Sequence, residues 1–273
     1  VILNFLTEQT IINYNKENII PGAVSWAESI WGESSSNWVS RTGQDLNFRS
    51  YIIHPFLEKS LSENLNGRPS HILELGCGDG IILDSPGIKS LVGNNGSYTG
   101  VDMSQILLEN AAKNNQGANI RFIKSNLSDN SAHRIIAQNT SGWNCIVSVF
   151  VIQEVADVKA LIKNLAELMN EGVFGIIVTV HPAFASWLFD EKKMSENIDL
   201  RLSGTSSGCQ WRWAGRYPIV DENHGTFYLP YFHREIADYT ELFRNEGIKV
   251  IKLAELPYPE DYEALTGRKI SPF

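Results

Sequence analysis

Long apolar runs are absent from this chain. The longest, such as Cys145 to Ile152, fall far short of the roughly 20 residues that cross a bilayer, so a membrane is not an expected partner. An excess of positive charge is also missing. Against 23 Lys and Arg stand 31 Asp and Glu, a formal net charge of -8, and no basic stripe offsets it. Nucleic acid is therefore not expected as the main partner. Cysteine is scarce. Cys77, Cys145 and Cys209 are scattered, odd in number and without zinc-ligand spacing, which implies no metal site and a reducing, cytoplasmic compartment. No internal repeat or low-complexity block occurs, and the first residues lack the basic region and small-residue cleavage site of a secretory signal. A starting methionine is missing too. The chain opens at Val1 and stops at Ile270-Ser271-Pro272-Phe273, which reads as the opening of a strand. The expectation is a trimmed chain or a domain from a longer polypeptide, such as a larger biosynthetic enzyme.

Hydrophobic residues are 43% of 273, enough for a sizeable core in one large domain or two small ones. Residues 1–66 read as a mainly helical N-terminal cover. Glu28 to Asn37 (ESIWGESSSN) reads as a loop, because Gly and Ser cluster there. Helical spacing returns from Gln44 to Leu65, with a kink or new start at His54-Pro55.

From residue 67 onward the pattern alternates. Strands are predicted at Ile72–Leu75, Tyr98–Val101, Ile120–Ile123, Asn144–Val149 and Val173–Val180. Between them fall a broken helix over Ile81–Leu91 and helices at Ser104–Asn114, Ala132–Gln138 and Val158–Met169, with Ser104 as an N-cap. The β-branched run at Val173–Val180 is typical of a strand buried on both faces. Such alternation predicts a doubly wound α/β domain with a mostly parallel sheet over 67–273. Regularity lapses over 181–231, an aromatic, loop-rich insertion read as a substrate cap. A strand (Thr226–Tyr231), a helix (Glu235–Asn245) and a strand (Lys249–Leu253) follow, with Gly247 as helix C-cap. The whole reads as a single structural domain.

The densest local signal is His71 to Gly80, HILELGCGDG. Three glycines directly after a strand let the backbone approach a ligand and adopt positive φ. In an open α/β sheet, ligands bind beyond the carboxyl ends of the strands at the switch in strand order. The spacing is G-x-G-x-G, and the sixth position of the dinucleotide fingerprint is Ile81. Taken alone, the loop leaves a nucleotide cofactor and a tight structural turn both open. Asp102, ending the second strand, is placed to accept both hydroxyls of a ribose.

At this point a resemblance appears. ILELGCGDG followed by YTGVDMS resembles the class I, Rossmann-like S-adenosylmethionine-dependent methyltransferases, in their small-molecule branch. The resemblance implies S-adenosyl-L-methionine as cofactor and S-adenosyl-L-homocysteine as product. It places Glu74, Gly76, Cys77, Gly78 and Gly80 against the amino-acid end, Asp102 on the ribose and Met103 on the adenine. FIKSNL, Phe122 to Leu127, resembles the third-strand segment that completes the adenine site with Asn126 and Leu127, although an acid is usual at Asn126. NCIVSVFVIQEV, Asn144 to Val155, resembles the fourth-strand motif, which commonly opens with Asp. It implies Val149 at the methionine end, with Phe150, Gln153 and Glu154 facing substrate. Similar turns follow at His181-Pro182 and Phe232-His233-Arg234, and Phe48-Arg49 resembles the branch's N-terminal approach. The likeness covers roughly residues 45–260. That family closes its sheet with an antiparallel strand, which ISPF would open.

Methyl transfer from a sulfonium is in-line displacement from an excellent leaving group, so positioning supplies much of the rate, up to about 7–11 kcal/mol. A hydroxyl or amine acceptor must also lose a proton, and a general base adds about 10²–10⁴-fold. His181, His233 and Glu154 are the candidate bases. Arg49 and Arg234 are candidate clamps for an anionic acceptor, and Trp187 and Trp211 are candidate walls for an apolar or planar one. The expected activity is methylation of oxygen, hydroxyl or carboxylate, on a small molecule or short peptide in natural-product metabolism. N-methylation, a non-catalytic S-adenosylmethionine-binding module in a larger assembly, and a nicotinamide oxidoreductase are the alternatives.

Overall fold

The computed structural model describes residues 22–42, 49–140, 142–182, 213–221, 225–257 and 261. Five strands follow the expected positions: β1 (His71–Leu75), β2 (Ser97–Asp102), β3 (Ile120–Lys124), β4 (Cys145–Val149) and β5 (Phe174–Val178). They form one wholly parallel sheet in the order β3-β2-β1-β4-β5. The order reverses between β1 and β4, so the crevice for a ligand lies above these two strands.

Alternation along each strand explains the layers. Ile72, Tyr98, Val147 and Ile176 point to one face, where they meet Leu57, Leu61 and Leu65 of α2 (His54–Leu65) and Ile88 and Val92 of α3 (Pro86–Val92). Leu73, Leu75, Val101 and Ile146 point to the other. There they meet α5 (Ala132–Asn139), α6 (Val158–Leu168) and α7 (Ile236–Asn245) through Ile136, Leu161, Leu165 and Leu242. A sheet covered on both faces tolerates apolar residues at every position, which is why these strands read as continuous runs. α4 (Gln105–Asn114) follows β2, and Ser104 caps it as expected, accepting from Leu107 N. Gly247 adopts φ +74 just after α7, also as expected.

Three expectations are corrected. The supposed loop Glu28–Asn37 lies inside α1, a 20-residue helix (Ala23–Thr42). Packing overrides its poor helix propensity. Buried Ser34 donates to the Tyr228 carbonyl at 2.6 Å, and buried Ser35 meets Ser104 Oγ at 2.8 Å, so small residues let the helix lie close to its neighbours. The region before Thr226 holds a further strand, β6 (Trp213–Asp221), paired antiparallel with β7 (Gly225–His233) as a separate two-stranded ribbon. Ala214 and Phe232 of this ribbon pack on Ala23 and Ala27 of α1, with Trp26 edge-on to Phe232 at 5.7 Å. Lys249–Leu253, expected as a strand, forms none, and Ile251 is 76% exposed. β-Branched composition favours a strand only where a partner and a packing surface exist. A short π-helical turn, Arg49–Ile53, leads into α2, which starts at His54-Pro55 with proline in its first turn. Cys209, Trp187, Trp211 and the terminal ISPF lie outside the described residues.

Candidate active site

The carboxyl ends of the five strands present their residues in spatial order: Asn126 after β3, Asp102 at the end of β2, the glycine loop after β1, Phe150 to Glu154 after β4 and His181 after β5. All of these except Gly80 border one open cleft, which continues from the strand ends along the β5 edge to Asn170, Val173 and Ile251.

At its β1–β2 end, Gly76, Gly78 and Gly80 all adopt positive φ, at +73, +54 and +76. A Cβ on Gly76 would stand 2.2 Å from the Val151 side chain, whereas one on Gly78 would meet nothing within 4 Å. The first glycine is therefore required by packing and the second leaves open space over the backbone. Asp102 organises the loop, accepting from Gly78 N at 2.9 Å through one oxygen and from Ser104 N at 2.8 Å through the other. Burial raises its pKa, and these backbone bonds oppose the rise. Cys77 is buried against Gly100, where a Cβ would stand 2.7 Å from its sulfur. Burial pushes its thiol well above the ordinary range, so it is a packing residue and not a nucleophile.

Glu74 is buried beneath the loop and accepts a hydrogen bond from the Tyr98 hydroxyl. Burial raises its carboxyl to about 8. Asn126 accepts from Ser128 N at 2.9 Å and donates to Glu28 of α1, which ties α1 over this end of the cleft. Met103, Leu127 and Val149 border the cleft. The departure at Asn144 has a structural cause. Its amide accepts from His71 N at 2.9 Å and donates to Pro69 O at 2.8 Å, pinning the entrance of β1, and a carboxylate lacks the donor for the second bond.

Beyond β4 the chemistry changes. Phe150 sits at φ +58, an uncommon conformation for a non-glycine residue and one that clusters at functional sites. Gln153, expected to face substrate, has its amide committed. It donates to Phe150 O at 2.7 Å and accepts from Thr179 Oγ1 at 2.8 Å, linking the ends of β4 and β5. Glu154 is buried, and its Oε1 accepts from the Tyr217 hydroxyl of β6 at 2.8 Å. Burial raises Glu154 to about 8, against the Tyr217 bond and the positive charge of Arg49. Arg49 lies 5.1 Å from the Trp38 ring centroid of α1. Burial lowers its pKa, and Asp79, Glu74 and Glu154 act in the opposite sense, so one guanidinium serves both ends of the cleft.

The remaining candidates separate. His181 borders the cleft one strand further out, with Nε2 3.2 Å from Glu255 Oε1. His233 is not among the cleft's described lining residues, and its Nδ1 faces the Tyr231 hydroxyl at 3.4 Å. Arg234 is fully buried and donates to the carbonyls of Ile152, Val155 and Ala156 at 2.8–3.1 Å. It clamps the loop carrying Glu154, and those donors are not offered to a substrate. Tyr217 falls in the aromatic insertion read as a substrate cap, but its contact with Glu154 was not foreseen, and Asp79 and Ser125 were missed. The Asp79 Oδ1 and Ser125 Oγ atoms are buried with no hydrogen-bond partner among the described residues, and both residues border the cleft. An orphaned buried polar atom costs about 1–3 kcal/mol, so donors from a ligand fit here.

The glycine cradle, the acid ending β2 and the orphaned polar atoms fit an adenosyl cofactor laid across the switch point of a doubly wound sheet. Comparison with known proteins agrees. Residues 48–252 match a methyltransferase-domain family, and the chain belongs to that family as a class I S-adenosylmethionine-dependent methyltransferase. It is 25% identical over 183 residues to a ubiquinone biosynthesis O-methyltransferase of Coxiella burnetii, covering 63% of this chain and 73% of that protein. It is 27% identical over 135 residues to the protein of that name from Vibrio atlanticus, covering 49% and 51%. Among solved structures, an S-adenosylmethionine-dependent methyltransferase described from Listeria monocytogenes shares the fold at a TM-score of 0.52 and 15% identity, covering 79% of this chain and 90% of that one. No helix among the described residues is long and apolar enough to cross a membrane.

Proposed function

We propose that the chain transfers a methyl group to an oxygen of a small molecule or short peptide, with Glu154 as the base that takes the acceptor's proton. The single observation carrying this reading is the buried Glu154 carboxyl, held at 2.8 Å by Tyr217, beside the cofactor end of the cleft. Bound in the cleft, S-adenosylmethionine supplies an electrophilic methyl on a sulfonium leaving group. The chain's own residues do the rest. Asp102 holds the ribose, Met103, Asn126 and Leu127 frame the adenine, and Glu74 with the glycine loop holds the amino-acid end. Arg49 balances negative charge on the acceptor. Phe150, with Trp31 and Trp38 of α1, walls off an apolar or planar acceptor. Glu154 accepts the hydroxyl proton as the oxygen–methyl bond forms.

A carboxylate acceptor would be ionised already and would pair with Arg49, needing no base. The distant O-methyltransferase relatives support oxygen over nitrogen. His181 is the second candidate base, since it borders the same cleft. A panel of phenolic, carboxylic and amine acceptors with labelled cofactor tests the reading. Label in an alkali-stable ether marks hydroxyl methylation, and label in an alkali-labile ester marks carboxylate methylation. Label entering amines alone overturns it. In the hydroxyl case Glu154→Gln should lower turnover by about 10²–10⁴-fold, and unchanged turnover would remove Glu154 from the chemistry.

A further inference from the structure

The cofactor and its product differ at one atom in charge: the donor's sulfur is a cation and the product's is neutral. The chain has a buried carboxyl whose position makes it responsive to that difference. Glu154 follows β4, on the far side of the switch point from the ribose-holding Asp102. A cofactor laid from β2 across β1 therefore points its reacting end towards the β4 loop. Among the described residues, the charged and titratable groups facing Glu154 come from three elements: Tyr217 of β6, Arg49 of the turn before α2, and Asp102 of β2. Its chain neighbour Gln153 approaches the same oxygen at 3.4 Å. Among the described residues, the groups that favour its carboxylate are donors or a cation, and Asp102 opposes them. The pocket is thus built to accept a carboxylate there, while burial withholds the water that would solvate one.

We infer that Glu154 is a cofactor-sensing proton switch: it is a neutral acid in the free protein, ionises when the cationic donor enters, and is reprotonated once the neutral product is left behind. This rests on the base role proposed above and deepens it. It means that the base is armed only when a methyl group is available. In the free protein burial holds the carboxyl at about 8, so near pH 7 it is mostly protonated. A nearby positive charge stabilises the carboxylate, and the proton goes to solvent. During transfer the acceptor's proton replaces it, and the cycle balances at one proton released per methyl moved. Tyr217 is the positioning residue, because its hydroxyl donates to the ionised form.

Isothermal titration calorimetry in two buffers of different ionisation enthalpy tests this without any acceptor. S-adenosylmethionine and S-adenosylhomocysteine are each titrated into the full chain near pH 7. The donor is expected to release close to one proton more than the product. By linkage, the ratio of donor to product affinity should then rise by up to about tenfold per pH unit as pH approaches 8. In Glu154→Gln both ligands should still bind and the excess should vanish. Tyr217→Phe, which removes a bond that supports the carboxylate, should carry the rise to higher pH. Equal proton counts in the wild-type chain, or an excess that survives Glu154→Gln, would overturn the inference. Binding of neither ligand would overturn the cofactor assignment with it. Binding with equal counts would leave that assignment standing and sink this inference alone.

Discussion

A few side chains carry most of the site, and each has a separable cost. Asp102 is the strongest case, because its carboxylate already organises the glycine loop through two backbone N–H groups. Replacing it with Ala should weaken S-adenosylhomocysteine binding by about 1.5–3 kcal/mol, the worth of hydrogen bonds to a charged group. Calorimetry checks this, and unchanged affinity would remove it from the ribose site. Asn144→Asp would restore the residue common in the family yet forfeit the bond to Pro69 O. A loss of about 0.5–1.5 kcal/mol in urea unfolding is expected, with cofactor affinity unchanged. The placement of the glycines, Asp102 and Glu154 at strand ends was legible in the sequence, because their spacing follows the strands. Tyr217 was not, since it reaches Glu154 across 63 positions in the chain, and neither an isolated Tyr nor its neighbours advertise such a contact.

At the scale of elements, the parallel sheet was legible because β-branched runs and capped helices alternate. The ribbon was half hidden. β7 was read as a strand despite Pro230, whereas Pro218 and its loop-like surroundings hid β6, and a two-stranded ribbon tolerates both prolines because each strand has an unpaired edge. α1 was hidden by Gly32 and its serines, whose small side chains suit close packing better than isolated helix formation. The loop between β4 and α6 depends on one residue from after β7. Arg234 satisfies carbonyls on both sides of Glu154. Arg234→Ala should cost about 3 kcal/mol or more, as several buried carbonyls lose a charged donor. Hydrogen exchange should rise first over 150–157. Exchange unchanged there would mean that the loop is held by other contacts.

For the molecule as a whole, two buried acids set a pH dependence. Glu74 and Glu154 each have a folded-state pKa of about 8, above the usual carboxyl value. Folding therefore favours their protonated forms. Their contribution is complete at low pH and is lost as pH rises through about 8, at up to ~1.4 kcal/mol per pH unit for each group. The ligand-free protein should lose urea resistance between about pH 5 and 8, and the Glu74→Gln, Glu154→Gln double variant should lose less. Parallel curves for the two proteins would contradict the buried-acid description. Stability is thus given up to keep two acids in a cleft, as expected where a site is built for a ligand that carries charge.

Asp102 and the glycine loop assign this cleft to S-adenosylmethionine. Calorimetric titration of the purified chain with S-adenosylhomocysteine, and with NADH as a rival ligand, tests it most directly. Saturable binding of S-adenosylhomocysteine is expected, weakened about 10–150-fold by Asp102→Ala, with no comparable binding of NADH. Absence of S-adenosylhomocysteine binding at millimolar concentration, or tight binding of NADH in its place, would contradict it.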